Sequence, residues 1–203
     1  MPKVSEEHLE ARRRQVVDAA IACFARDGFH RTTMQDICRE AGLSLGAVYS
    51  YFSSKDELIE AIAYERHARE AGFMAGARDI GEGAEALRAL GRAFFSSLAD
   101  PDERTRRKLG VQVWAEALRN PAIHKLVMRG IDPPRAVIAH LVREAQERDE
   151  LDRGLDPDAV ARVMLALFQG FVLQQAWDER VDVASYLETV ETIVDALLTE
   201  RVT

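Results

Sequence analysis

The sequence predicts an all-α protein: a three-helix N-terminal unit followed by a larger helical domain. Three observations lead there. Apolar residues recur at helical spacing through nearly the whole chain, and no stretch alternates convincingly like a strand. Capping residues, glycines and prolines punctuate that pattern into segments of ordinary helix length. Finally, Arg31 to Leu58 reads as two short helices, a tight glycine-containing turn and the start of a third, the arrangement of a helix-turn-helix.

The first helix is expected from about His8 to Asp27, through Val16, Val17, Ala20, Ile21 and Phe24, with Gly28 ending it. Arg12, Arg13 and Arg14 near its start suit either a solvated charged turn or phosphate contact. Thr32 and Gln35 fit a capping box for the second helix, whose apolar positions are Met34, Ile37, Cys38 and Ala41. Gly42 suits its left-handed end. Ser44 is placed to cap a third helix, LGAVYSYF, with Leu45, Val48 and Phe52 on one side. Ser54 and Glu57 form a second capping box, opening a fourth helix that Lys55 enters first and that runs to about Ala77. Gly72 and Gly76 loosen its far end, and residues 79–83 read as a linker.

Beyond the linker, helices are expected over Ala84–Leu98, Glu103–Arg119, 122–130, Arg135–Arg148, Asp158–Asp178 and Val183–Glu200. Asp100-Pro101-Asp102 and Asn120-Pro121 mark helix starts, because proline favours the first helical position. Asp132-Pro133-Pro134 should interrupt or restart a helix, since proline removes an N–H and clashes with the preceding turn. The Asp158–Asp178 segment is apolar nearly all round, so one side must meet something other than its own domain. Together with Leu187, Val190, Ile193, Val194 and Leu197 of the last helix, it predicts a four-helix interface between two copies, with packing of both helices wholly within one subunit as the alternative.

Composition narrows the function classes. The chain has 203 residues, 47% hydrophobic and 30% charged, a globular balance with room for a small unit plus one ordinary domain. Net charge is −7, which looks wrong for a nucleic-acid binder, but residues 1–55 hold 8 basic and 7 acidic side chains while the rest hold 19 and 27. The acidity lies outside the helix-turn-helix. Cys23 and Cys38 are expected to be buried free thiols, which suits a cytoplasmic protein. The N-terminus lacks a signal peptide's apolar core, and the run around Val163 to Val172, broken by Gln169 and Gly170, is too short for a bilayer, so no membrane partner is expected.

Catalytic and metal motifs are poor. Gly42-Leu43-Ser44-Leu45-Gly46 matches a hydrolase elbow but has no strand before it. His8, His30, His67, His124 and His140 are scattered without metal spacing. No enzyme, metal or cofactor is expected. The third helix is different: Tyr49 and Tyr51 on a short helix suit phosphate hydrogen bonds and thymine methyl contacts, and Gly46 and Ala47 let the backbone approach bases. Downstream, Phe94, Phe95, Trp114, Met128, Met164, Phe168, Phe171 and Trp177 could line an apolar pocket, with Gln169, Gln174 and Gln175 among them for hydrogen bonds; an ordinary core is the competing explanation for each.

The run G42-L43-S44-x-G46-x-x-Y49-x-Y51-F52-x-S54-K55-x-E57-L58, preceded by T32-T33 and F24-x-x-x-G28-F29, resembles the DNA-binding segment of TetR-family transcriptional regulators. The resemblance covers roughly residues 10–60, about a quarter of the chain. It implies a DNA-binding domain over 1–54, a connecting helix over 55–80 and a ligand-binding and dimerisation domain over 81–203. It implies a homodimer joined through the last two helices, a palindromic double-stranded operator and a small-molecule effector, largely uncharged because charges do not cluster with the aromatics. By resemblance and position, Thr33, Ser44, Leu45, Gly46, Ala47, Tyr49, Ser50, Tyr51 and Lys55 would touch DNA. Tyr49 and Lys55 fall to phosphates, and Leu45, Ala47 and Ser50 to base edges. Phe94, Trp114, Met128, Met164, Phe168, Phe171, Gln174 and Trp177 are the ligand candidates. A repressor is the leading expectation; an activator or a helical small-molecule-binding protein is the alternative.

Overall fold

Helix α1 (Glu6–Asp27) opens on Glu6 and Glu7 and closes on Arg26, charges that complement the helix dipole. Its inner face, Val16, Val17, Ala20 and Phe24, is fully buried. The structure, a computed structural model, describes residues 6–65, 81–96, 103–178 and 180–199. Residues 1–5, the second half of the fourth helix with Gly72 and Gly76, Asp79 and Ile80 of the linker, and the Asp100-Pro101-Asp102 start lie outside the described residues.

Gly28 ends α1 in the left-handed region, φ +85°, its N–H donating to Phe24 O at 2.9 Å. Thr32 then folds inward. Its hydroxyl is placed against Cys23 O (3.2 Å) and Gly28 O (2.9 Å), so its burial carries little penalty. Consequently Thr33, not Thr32, caps α2 (Met34–Ala41). The capping box is Thr33 with Asp36 rather than Thr32 with Gln35: Asp36 N–H donates to the Thr33 hydroxyl, and Thr33 N–H donates to the Asp36 carboxylate at 2.9 Å. The hydroxyl also donates to Asp36 at 2.6 Å, and these bonds hold that carboxyl below its ordinary pKa.

Gly42, φ +64°, terminates α2 as the spacing predicts. The Ser44 side chain accepts from Ala47 N–H and opens α3 (Leu45–Tyr49). This helix is five residues, shorter than the expected eight, and Leu45 is exposed rather than inward. Only Val48 on it is buried, and Phe52 completes the core from the turn beyond. The Ser54 hydroxyl accepts from Glu57 N–H at the start of α4 (55–65), whereas the Glu57 carboxylate reaches Ser53 N–H, one residue before the expected partner.

Next come α5 (Gly83–Ser96), α6 (Glu103–Ala117), α7 (Pro121–Glu147), α8 (Pro157–Trp177) and α9 (Val183–Thr199). Pro133 and Pro134 do not divide α7, contrary to expectation. A proline inside a helix costs about 3 kcal/mol or more. The two flanks of α7 outweigh it by packing into separate cores: Ile123 and Leu126 join the N-terminal cluster, and Ile138, Leu141, Val142 and Ala145 join the core of the second domain. The N-terminal cluster itself takes in Leu109 and Ala117 of α6, so it extends past residue 80. A third cluster joins Phe95, Phe171, Val172 and Val190, with Tyr186 donating to Leu167 O at 2.7 Å.

Helix α8, at 21 residues, is long and apolar enough by length and composition to cross a bilayer, unlike the shorter run read from sequence. Its inner face, Ala161, Phe171, Val172 and Gln175, is buried in the protein, whereas Val163 and Trp177 stand 55% and 74% exposed.

Candidate nucleic-acid interface and interior pocket

Because Val48 alone anchors α3, almost every other side chain on it faces outward. Thr33, Ser44, Leu45, Gly46, Tyr49 and Ser50 are exposed, Ala47 half-exposed. Leu45 and Tyr49, 44% and 47% exposed, stand one turn apart on this face. No carboxylate lies on α3, so nothing there repels a phosphate. The Ser50 hydroxyl donates to Ala47 O at 2.7 Å, which occupies its proton but leaves its lone pairs outward.

Two expected contacts are placed differently. Tyr51 is half-buried and packs against the N-terminal core. The Lys55 ammonium donates to Phe29 O and Thr32 O, each at 2.9 Å, and sits 4.7 Å from the centre of the Phe29 ring. Lys55 is thus a clamp closing the α1–α2 loop onto α4, with one of its three protons left over. Thr33 is likewise engaged as a cap. Sequence spacing does not show these uses, because the partner carbonyls lie 23 and 26 residues away. Of the three arginines, Arg12 donates to Gln15 at 2.9 Å and Arg13 sits over the Phe52 ring beside Glu10 and Glu65; Arg14 is exposed.

The unit is tied to the second domain through charge. His30 Nε2 lies 2.8 Å from Glu116 on α6, a carboxylate that also meets Arg119. Arg106 on α6 reaches Asp18 at 3.2 Å and Glu65 at 3.7 Å. Arg106 thus links α6 to both α1 and α4.

In the second domain, α5, α7 and α8 line a small apolar hollow that opens to solvent. Phe94, Phe95, Pro134, Ile138, Met164 and Phe168 line it, and Phe168 meets Phe94 edge-on at 4.7 Å. Three of the expected ligand residues, Phe94, Met164 and Phe168, are brought together there. Phe171 is wholly buried beside Tyr186, and Trp114 packs half-buried in the same third cluster. Met128 is half-buried on α7 but not on the hollow. Gln174 and Trp177 are exposed on the outer face of α8, so they do not line it. Sequence reasoning missed Pro134 and Ile138, which only the uninterrupted α7 brings to this place. It also favoured Gln174 over Gln175, although Gln175 lies seven residues after Phe168 and so shares its face.

Among the described residues no group of His, Cys, Asp and Glu is placed to hold a metal ion. Cys23 and Cys38 are buried and unpaired, and burial pushes the Cys23 thiol above its usual pKa, the condition of an unreactive thiol.

Two family models match successive parts of the chain. Residues 16–62 match the tetR family of bacterial regulatory proteins, and residues 83–199 match the BetI-type transcriptional repressor C-terminal family. The HTH-type transcriptional regulator UidR of Escherichia coli K12 is 25% identical over 187 residues, 92% of this chain and 93% of its own. The structure of Salmonella enterica GusR superposes with a TM-score of 0.76 at 28% identity, covering 98% of this chain and 100% of that one. A transcriptional regulator from Saccharomonospora viridis, solved in complex with choline, gives a TM-score of 0.80 at 26% identity over 95% of this chain and 100% of that one.

Proposed function

The chain belongs to the TetR family of transcriptional regulators, and on that premise we propose that it is a repressor that binds a palindromic operator as a homodimer and leaves it when a small molecule fills the second domain. The observation that carries DNA binding is α3: a capped five-residue helix with one inward side chain and an outward face of Ser44, Leu45, Gly46, Ala47, Tyr49 and Ser50. Tyr49 meets a phosphate; Leu45, Ala47 and Ser50 meet base edges. None of these offers a bidentate pair, so readout leans on apolar contact and DNA shape. Ser44, Thr33 and Lys55 hold α2 and α3 at the angle that presents this face, and Lys55 offers a phosphate its remaining proton.

A second copy covers the outer face of α8 and α9. Val163, Trp177 and Ile193 are large apolar side chains exposed there on the single chain, and a symmetric pair buries the same patch twice. Such a dimer sets two α3 helices about 34–36 Å apart, one DNA turn, or a multiple of it. The hollow between α5, α7 and α8 takes the effector. That the S. viridis regulator was solved in complex with choline supports a small organic ligand for this chain. The His30–Glu116 and Arg106 links carry its effect to α1 and α4. Effector must then prefer the DNA-free form, and DNA must weaken effector binding by the same factor.

Fluorescence anisotropy on duplexes tiled across the DNA beside the protein's own gene, at two salt concentrations, tests the proposal. Tight, salt-sensitive binding to one palindromic duplex is the expected result. Equal weak binding to every duplex would remove it.

A further inference from the structure

Two side chains other than apolar ones are buried among the described residues, Thr32 and Gln175, and they differ in one respect. The Thr32 hydroxyl has its partners. Gln175, 3% exposed, has none for its amide oxygen Oε1. An acceptor left unpaired in an interior costs about 1–3 kcal/mol, so its retention asks for a donor from elsewhere.

Helix α7 holds a second acceptor that lacks its helical donors. In α7 the carbonyl of Gly130 would normally receive an N–H from residue 134 (α-helical) or 133 (3₁₀), but both are proline and neither has one. Consecutive prolines thus leave this carbonyl without either helical donor. Gly130 lies on the same stripe of α7 as Pro134 and Ile138, which line the hollow. Helices α7 and α8 run antiparallel: Ala145 shares a core with Ala161, and Pro134 meets the hollow opposite Phe168. One turn further along the same register, Gly130 comes level with residues 172–175. This register sets both acceptors towards the same end of the α7–α8 seam, Gln175 about 10 Å along α8 from Phe168.

Resting on the assignment of the hollow as the effector site, we infer that the effector is an elongated, mostly apolar molecule with a hydrogen-bond donor at one end, hydroxyl or amine. Its body fills the hollow against Phe94, Met164 and Phe168. Its donor is received by Gln175 Oε1 and the Gly130 carbonyl. A carboxylate or other anion is refused there, because it would bring a third acceptor to a place that holds two. The donor end also lies towards the part of α7, Ile123 and Leu126, that packs with α6 in the N-terminal cluster.

Calorimetry on the full chain with four probes of one shape tests this: butylbenzene, 4-phenylbutan-1-ol, 4-phenylbutylamine and 4-phenylbutyrate. The alcohol, the amine or both should bind about fivefold or more tighter than butylbenzene, with the carboxylate weakest. The alcohol alone assigns a neutral hydroxyl, the amine alone an ammonium; either supports the inference. Gln175→Leu should abolish the preference for the donor while butylbenzene still binds. Without any probe, Gln175→Leu should melt no lower than the parent, since it removes an unpaired polar group. A lower melting temperature would mean that the amide is already satisfied, by a bridging water for example, and would overturn the inference. Gly91→Leu separates the two levels, because Gly91 lines the hollow and its added Cβ meets nothing within 4 Å. Binding of butylbenzene that Gly91→Leu blocks, with no donor preference, keeps the pocket and overturns the donor site. No binding by any probe overturns both.

Discussion

The N-terminal unit and the second domain solve opposite problems with the same element. Around α1 to α4 the interior is saturated: Val16, Val17, Phe24, Ile37 and Val48 are fully buried, Thr32 is hydrogen-bonded, and Lys55 spends two protons on the α1–α2 loop. Its proposed site lies outside, on the face of α3 that the core does not use. Around α5, α7 and α8 the interior is unfinished, with an apolar hollow and an amide oxygen lacking a partner. Its proposed site is that hollow. A surface that must meet a rigid duplex is backed by a rigid core, and a cavity that must admit a guest is left by incomplete packing.

The contrast is most strongly tested by equal truncations. Phe24→Ala in the saturated core should cost about 3–5 kcal/mol. Phe168→Ala, beside a space that already exists, should cost distinctly less. Urea unfolding of both variants decides it, and equal losses would erase the distinction. Next in size is Lys55→Met. If Lys55 is chiefly a clamp, stability falls by about 1.5–3 kcal/mol, the range for hydrogen bonds to a charged group, even with no DNA present. A stability unchanged in thermal melts, with affinity reduced, would return it to a purely external role.

Tyr49→Phe should leave the circular dichroism spectrum unaltered and weaken binding to every duplex by about 1 kcal/mol, roughly fivefold. Full retained affinity would take the phosphate away from Tyr49. Thr33→Ala removes the cap of α2 and should cost about 1 kcal/mol of stability. The smallest effect is in pH. The Asp36 carboxyl is held below its ordinary value by the Thr33 bonds, so its contribution is present above the ordinary carboxylate range and lost as acid protonates it. The acid side of the stability curve should therefore be shallower in Asp36→Asn, as chemical denaturation between pH 5 and 2 would show.

What could be read from the chain follows the same division. The turn at Gly42, the cap at Ser44 and the inward Val48 depend on neighbours within a few residues, so spacing reveals them. The shift of the capping box from Thr32 to Thr33 escapes that logic, because Thr32 is drawn inward by the Cys23 carbonyl, nine residues back in a different helix. In the second domain nearly everything that matters is non-local. Gln174 and Gln175 look alike in sequence, and only the rotation of α8 against α7 exposes one and buries the other. Pro133-Pro134 reads as a break, and becomes part of a binding wall once two separate cores hold α7 straight across it.

The N-terminal core that takes in Leu109 and Ala117 of α6 and Ile123 and Leu126 of α7 has a consequence for modularity. A boundary near residue 54 or 80, as the sequence suggests, cuts through a single hydrophobic cluster. A recognition unit exchanged between relatives at that boundary would arrive with an open seam, fitted to another protein's α6. Any engineered chimera should therefore carry α6 and the first turns of α7 along with the N-terminal helices, since their side chains complete that core.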